Sequence, residues 1–164
     1  MGLFNSTKKN RNQGGNNTNQ SLGDKLFQFG KECEESDPSK AFDYFIQAAE
    51  MGSIEAMNKV GFCYLYHRNG APFDIQKSLY WFQKGANEGD AKCMMMLSQF
   101  YISGVGVPQS YDTAKELMEK AAKVGDEKTV AIANRRLIDF QNTCLTVTAL
   151  METIVEFKGR PPKK

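Results

Sequence analysis

From Ser21 onward, apolar side chains recur every three to four residues, a spacing typical of amphipathic α-helices. Asp37-Pro38 begins a second helix, since proline is tolerated in a first helical turn. The chain therefore opens with two helices joined by a short loop. The first is predicted to run from Ser21 to about Glu35 and to bury the stripe Leu22, Leu26, Phe29 and Cys33.

Glycines mark the ends of the later helices. Gly52, Gly89 and Gly125 each follow an apolar periodic segment, and glycine adopts the left-handed conformation past a helix end at little cost. Each glycine precedes a polar residue that begins a new helix. The starting residues are Ser53, Asp90 and Asp126. The inward faces of these helices are predicted to carry Ala56, Val60, Gly61 and Tyr64, then Cys93, Leu97, Ser98 and Tyr101, then Thr129, Ala133, Asn134 and Leu137.

One segment occurs three times, at 40–52, 77–89 and 113–125, with offsets of 37 and 36 residues. A fixed period in this range indicates a supersecondary unit stacked on copies of itself. Small residues in each copy let helices approach closely, and a large side chain fills the space beside them. The small pairs are Ala48-Ala49, Gly85-Ala86 and Ala121-Ala122, and the large residues are Phe45, Phe82 and Met118.

The repeated positions follow A-x-x-x-V/L-G-x-x-Y, a G-x-G-V-type loop with a following Asp, then K-A-x-x-W/Y-F-x-x-A-A-x-x-G. The middle copy carries Ala56, Val60, Gly61, Tyr64, Gly70, Asp74, Lys77, Trp81, Phe82, Ala86 and Gly89, and the next carries Gly104, Gly106, Val107, Asp112, Ala114, Ala121, Ala122 and Gly125. Over residues 24–140 the chain resembles the Sel-one-like repeat family, relatives of the tetratricopeptide repeat. Ser98 and Asn134 depart from the pattern at the position of Gly61, and the first copy has a short loop.

This resemblance implies an all-α protein: an α-solenoid of antiparallel helix pairs, with about three and a half repeats. It also implies a non-enzymatic adaptor or scaffold for a protein or peptide partner, with no shared catalytic residue and no cofactor. We expect the repeat region to span 21–157, with a capping helix at 141–157, although a Thr-rich extended start there is the alternative. The stripe of that helix is Val147, Leu150, Met151, Ile154 and Phe157.

A candidate partner surface follows from the implied architecture, in which the first helix of each repeat lines the concave face. Aromatic, Met and Arg side chains suit peptide capture because they carry much of the binding energy at interfaces. If the helix phase is shifted by one residue, several of these positions are core instead. The candidates are Asn58, Phe62, Tyr66, Met95, Gln99, Ile102, Arg135 and Ile138.

Charge divides the chain into an acidic body and two basic tails. Residues 1–20 and 158–164 contain seven basic residues and no acid, which leaves a net charge of −5 on 21–157. The Asn-rich tail at 1–20 is predicted to be disordered, since it has too little apolar surface to offset its ordering entropy. A nucleic-acid partner is not expected, because Phe4 is the only aromatic residue in the basic tails.

The N-terminus fits the myristoylation pattern M-G-x-x-x-[ST], with Gly2 as the acceptor and Ser6 completing the motif. A single acyl chain needs a second signal to hold a membrane, and Lys8, Lys9 and Arg11 supply one for an anionic surface. We therefore expect an adaptor on the cytoplasmic face of a membrane. The alternative is a soluble cytosolic adaptor without a lipid anchor.

Other chemistry finds little support. The N-terminus lacks the apolar core of a secretory signal, so a cytoplasmic protein is expected. The four cysteines show no C-x-x-C pair and are predicted to be free thiols, and His67 is the only histidine, so no metal site is predicted. An enzyme, or an accessory subunit of an enzyme complex, is the remaining alternative.

Overall fold

The computed structural model describes residues 14–139 and residue 142. Seven helices and no strand lie in this part of the chain, which confirms the all-α fold predicted from the repeat. They are α1 (Gly14–Cys33), α2 (Pro38–Glu50), α3 (Ile54–Tyr66), α4 (Ile75–Asn87), α5 (Ala91–Ser103), α6 (Tyr111–Val124) and α7 (127–139).

The chain divides into two compact units, the first ending at Glu88 and the second beginning at Gly89. In the first, α1 packs on α2 and α3 on α4, and α2 also contacts α3. In the second, α5 packs on α6. None of the described helices is long and apolar enough to cross a bilayer. Gly2, Lys8, Lys9, Arg11 and the tail at 158–164 lie outside the described residues, as does the predicted cap at 141–157 apart from residue 142.

Side-chain caps set the start of most helices. Five helices begin with a residue whose side-chain oxygen accepts a hydrogen bond from the backbone N–H three residues later, which satisfies an otherwise unpaired donor. Ser53 is different: its hydroxyl donates to Asp24 Oδ1 at 2.8 Å and so ties the start of α3 to α1. The capping residues are Asp37, Asp74, Asp90, Ser110 and Asp126.

Glycine beneath a phenylalanine ring sets the packing of both helix pairs in the first unit. A β-carbon at Gly30 would lie 2.5 Å from the ring of Phe45, and one at Gly61 would lie 2.8 Å from the ring of Phe82. Both rings are fully buried. Because the two contacts are alike, Gly30 of α1 and Gly61 of α3 occupy equivalent positions.

The inward faces predicted for α3 and α5 are largely confirmed. Ala56, Val60, Gly61 and Tyr64 are buried, as are Cys93, Leu97 and Ser98, while Tyr101 is half-buried. In α7, Thr129 and Ala133 are buried and Leu137 is half-buried, but Asn134 is exposed rather than inward.

The first helix departs from its prediction. It begins at Gly14 rather than Ser21, so residues 14–20, predicted as disordered tail, are helical. Extending a helix that packing already holds adds one hydrogen bond per residue without a new nucleation cost. The predicted stripe holds only for Leu26 and Cys33, which are half-buried against the core. Leu22 and Phe29 are 47% and 53% exposed, and the buried face carries Gly23, Phe27 and Gly30.

The helix ends follow the glycine prediction in two cases of three. Gly52 and Gly89 have φ of 95° and 91°, in the left-handed region that glycine tolerates. Gly125 was predicted to end its helix in the same way, but its φ of −71° and ψ of 165° are extended. The chain leaves α6 there without a left-handed residue, and Asp126 begins α7 at once by capping Thr129.

Candidate functional site: an aromatic and cationic surface on the first unit

A ladder of aromatic rings runs from the core of the first unit to its surface. Phe82 is fully buried, and Phe62 meets its ring edge-on, with centroids 5.2 Å apart and an interplanar angle of 82°. Tyr66 stacks on Phe62 at 5.9 Å and 10°. Tyr66 is the last residue of α3 and is 56% exposed, so the ladder presents an open phenol ring to solvent.

Arg68 extends the ladder with a positive charge. His67 ends α3 in the left-handed conformation, with φ of 50°, and turns the chain back over the helix end. The guanidinium carbon of Arg68 then lies 5.7 Å from the centroid of the Tyr66 ring, within cation–π range. The Arg68 N–H donates to the carbonyl of Cys63 at 3.0 Å, which fixes the backbone from which the side chain extends.

Glu34, the residue that follows α1, holds this loop in place. Its carboxylate accepts hydrogen bonds from Asn69 Nδ2 at 2.8 Å and pairs with Lys59 Nζ at 2.6 Å. Asn69 has φ of 55°, a left-handed conformation that asparagine tolerates better than most residues. Partial burial works to raise the pKa of Glu34, but the hydrogen bonds from Lys59 and Asn69 outweigh it and lower the pKa below 4.5.

We call Phe62, Tyr66 and Arg68 the aromatic–cation site. The backbone that carries Arg68 is fixed before any partner arrives, since its loop is bonded to α3 and to Glu34, the residue that follows α1. Preorganisation of this kind reduces the ordering cost of binding. The arrangement offers an aromatic face for an apolar group and guanidinium N–H donors for a carboxylate.

The structure places the predicted partner-binding residues on three helices. On α3, Asn58 and Phe62 are half-buried and Tyr66 is exposed; on α5, Gln99 is exposed and Ile102 half-buried; on α7, Arg135 and Ile138 are exposed. The prediction was wrong for Met95, which is only 8% exposed because it lies on the packed side of α5. Met95 therefore offers little surface area to a partner. Binding by the other residues stays a prediction.

Sequence reasoning missed Arg68. The helical pattern ends at Tyr66, and nothing in periodicity says where a side chain in the following loop points. The available signal was the sequence His67-Arg68-Asn69-Gly70, in which Asn-Gly marks a turn with left-handed residues.

The described residues show no metal-binding cluster around this surface. No group of three His, Cys, Asp or Glu side chains among them is placed to hold a metal ion. Cys33 and Cys63 are free thiols, as predicted; Cys144 lies outside the described residues. Burial raises the pKa of the Cys63 thiol to about 11, which leaves it protonated and a poor nucleophile at neutral pH.

Paired helices with small residues under large ones define a helical-repeat protein. Comparison with protein families identifies three copies of the Sel1 repeat, at residues 21–53, 54–90 and 91–126. The chain therefore belongs to the Sel1 repeat family, as the sequence pattern predicted. Sel1 repeat proteins generally mediate protein–protein interactions, and the family is typically non-catalytic.

Individual relatives agree with this assignment. The chain is 35% identical over 119 residues to protein sel-1 homolog 2 of Mus musculus, covering 68% of this chain and 17% of the relative. It is 34% identical over 94 residues to the ERAD-associated E3 ubiquitin-protein ligase component HRD3B of Arabidopsis thaliana, covering 57% of this chain and 14% of the relative. It thus spans less than a fifth of the length of either.

A solved structure of similar length supports the fold. The crystal structure of a Sel1 repeat protein from Oxalobacter formigenes matches with a TM-score of 0.63 and 30% sequence identity. The match covers 76% of this chain and 95% of that protein.

Proposed function

We propose that this chain is a non-enzymatic adaptor that binds an extended segment of a partner protein at the aromatic–cation site. The observation that carries the proposal is the ladder itself: an exposed Tyr66 ring that stacks on Phe62 and lies within cation–π range of the guanidinium of Arg68. Tyr and Arg are among the residues that most often dominate binding energy at interfaces. The proposal refines the general role of the family to a place on this chain.

The chemistry of the site favours a particular partner segment. An apolar or aromatic side chain would pack on the exposed part of the Tyr66 ring, where burial of apolar area stabilises the complex. A carboxylate beside it would accept hydrogen bonds from the Arg68 guanidinium, whose planar fork suits that group. We therefore expect a segment in which an acidic residue lies next to a large apolar one.

Relatives lend the proposal indirect support. The Arabidopsis relative is described as a component of a ubiquitin ligase, which places that protein within a multiprotein assembly. The matched part is a small share of that relative, so its assembly is not carried over to this chain. What transfers as a proposal is the use of Sel1 repeats to hold a protein.

The test is a comparison of variants against a bound protein recovered from native extract on the immobilised full chain. Tyr66→Ala and Arg68→Ala should each raise the dissociation constant of that protein by about tenfold or more. Phe73→Ala is the matched control, since Phe73 is an aromatic residue 62% exposed that makes no part of the ladder. Unchanged affinity in both site variants would refute the proposed site.

We also propose that the adaptor is cytoplasmic and attached to a membrane through Gly2, with Lys8, Lys9 and Arg11 contacting an anionic surface. The support is the sequence motif followed by the basic cluster. The intact mass of the protein from its native cells tests this. Loss of Met1 with addition of a tetradecanoyl group is the expected result, and a free or acetylated Gly2 would leave the soluble adaptor.

A further inference from the structure

One face of α1 corresponds to the face that α3 uses for packing. Since Gly30 and Gly61 are equivalent, Leu26, Phe29 and Cys33 of α1 correspond to Met57, Val60 and Tyr64 of α3. These three α3 residues are buried in one core cluster with residues of α1 and α2, so this side of α3 packs on the preceding helix pair. The corresponding side of α1 is the outer side of the first unit.

Much of that side of α1 is uncovered, although it is apolar. Leu22 is 47% exposed and Phe29 is 53% exposed, with the Phe29 ring 6.4 Å from that of Tyr44. We define the α1 outer face as the exposed residues Leu22, Lys25, Phe29 and Glu32; Leu26 and Cys33 beside them are half-buried against the core of the first unit. Exposed apolar side chains grouped in this way mark an interaction surface.

Two charges distinguish the α1 outer face from its counterpart on α3. Lys25 and Glu32, both exposed, stand where α3 has the fully buried Ala56 and the buried Cys63. A helix that packs here must therefore offer an acid and a base at the same spacing, one on each side of Phe29. A further repeat of the type seen in α3 would bury both charges unpaired, which is costly.

Another copy of α1 in antiparallel orientation meets this requirement. With the two helices centred between Gln28 and Phe29, Lys25 of each copy lies opposite Glu32 of the other, and the two Phe29 rings meet near the two-fold axis. A two-fold interface uses the same patch on both subunits, so it needs a self-complementary surface of this kind. We propose that the α1 outer face binds the α1 outer face of a second copy, making an antiparallel homodimer.

The expected affinity is modest. The face spans about three helical turns, or roughly 18 Å along the helix axis. The area that it can bury is therefore well below that of a standard protein–protein interface. Association should therefore be concentration-dependent, with a dissociation constant on the order of micromolar or weaker.

Charge exchange tests the proposal with the full chain in sedimentation equilibrium. The wild type should shift from monomer toward twice the monomer mass as concentration rises. Lys25→Glu and Glu32→Lys should each reduce association by about tenfold or more, since each places like charges opposite one another. Equal mixing of these two single variants, or combining both changes in one chain, should restore it, because opposite charges then face each other again.

Control variants distinguish this interface from non-specific hydrophobic association. Phe29→Glu should abolish association, whereas Phe73→Glu, at a more exposed aromatic residue of the same unit, should leave it unchanged. All of these substitutions are at exposed or half-exposed positions, and an unchanged helical circular dichroism spectrum checks that the chain is folded. A chain that stays monomeric at every concentration, or a dimer that survives Phe29→Glu and both charge reversals, would overturn the proposal.

Discussion

The α3–α4 and α5–α6 helix pairs are built from the same repeat and reach close packing in different ways. In the first pair Gly61 lies directly beneath the ring of Phe82. In the second pair the corresponding positions hold Ser98 and Met118, both fully buried. A flat rigid ring needs the space that glycine leaves, whereas the unbranched, flexible Met side chain adapts to a larger neighbour. We therefore expect the small and the large position to depend on each other.

The loops of the two pairs differ as well. In the α3–α4 loop the left-handed residues include His67 and Asn69, and Glu34 of the preceding pair holds the loop through Asn69. In the α5–α6 loop the left-handed positions are Gly104 and Gly106. Glycine closes a turn without adding a functional group. The loop built from larger residues also places Arg68 on Tyr66, which links its conformation to the proposed function.

The largest predicted effect comes from exchanging the small residue of the first pair. Gly61→Ser places a β-carbon within 3.0 Å of the buried Phe82 ring and should lower the free energy of unfolding by about 1–3 kcal/mol. The fluorescence of Trp81, the only tryptophan, reports on this pair during urea unfolding. An unchanged midpoint would show that the contact is looser than described.

Two further variants sharpen the comparison of the pairs. Ser98→Gly creates no clash; it should lower the free energy of unfolding by about 1 kcal/mol, because of the entropy of glycine in a helix and the lost hydrogen bond to the Met95 carbonyl.

A double variant tests whether the two positions depend on each other. The free energy of unfolding lost by Gly61→Ser with Phe82→Met should be smaller than the sum of the two single losses, by about 0.5 kcal/mol or more. Strict additivity would contradict the idea that the two positions depend on each other.

A smaller effect is expected from Glu34→Gln, which breaks the hold on the α3–α4 loop. Loss of the Lys59 ion pair and weakening of the Asn69 hydrogen bond should cost about 1 kcal/mol at neutral pH. Gln109→Ala is the matched variant in the α5–α6 loop, where that side chain donates to the Ile102 carbonyl. It should leave partner binding intact, whereas Glu34→Gln should weaken it by releasing Arg68.

The same pair should make stability depend on pH. The pKa of Glu34 is lowered in the folded state, so its contribution is complete above the ordinary value of 4.5 and declines as the pH falls through the folded value. The difference in unfolding free energy between wild type and Glu34→Gln should therefore shrink in acid. A difference that stayed constant from neutral pH to pH 3 or so would rule out this ionic contribution.

The smallest expected effect is a difference in thiol reactivity. The buried cysteines of the α3–α4 and α5–α6 pairs should react more slowly than the cysteine at the end of α1. Cys63 and Cys93 are 1% and 0% exposed, whereas Cys33 is half-buried. With the pKa of Cys63 raised to about 11, only about one thiol in a thousand is ionised at pH 8. Peptide mapping after brief alkylation of the folded chain should find Cys33 modified before Cys63 and Cys93. Equal labelling of Cys33 and Cys63 would contradict the described burial.

Periodicity and repeat spacing were enough to predict the helix pairs, their order and the inward faces of α3 and α5. They failed on α1, because the pattern of large apolar residues favoured the side carrying Leu22 and Phe29. The phase is in fact set by Gly30, which lets the Phe45 ring approach. Glycine adds no hydrophobic signal, so the side of a helix that packs most closely was the one the pattern overlooked.

Only part of the candidate site could be predicted from the sequence. Phe62 and Tyr66 follow from helical spacing on the outer side of α3. Arg68 does not, since its position depends on the left-handed conformation of His67 and on hydrogen bonds from the loop to Cys63 and Glu34. These are non-local contacts that a periodic pattern does not contain.

The most direct test of the adaptor proposal is site-specific photocrosslinking in native cells. A photoreactive phenylalanine derivative replaces Tyr66 in one chain and, as a control, Tyr80 in another; Tyr80 is 59% exposed and lies on α4. We predict a discrete crosslinked partner from position 66 that is absent from position 80. A partner that binds the wild type but crosslinks only from position 80, or from neither position, would contradict the aromatic–cation site.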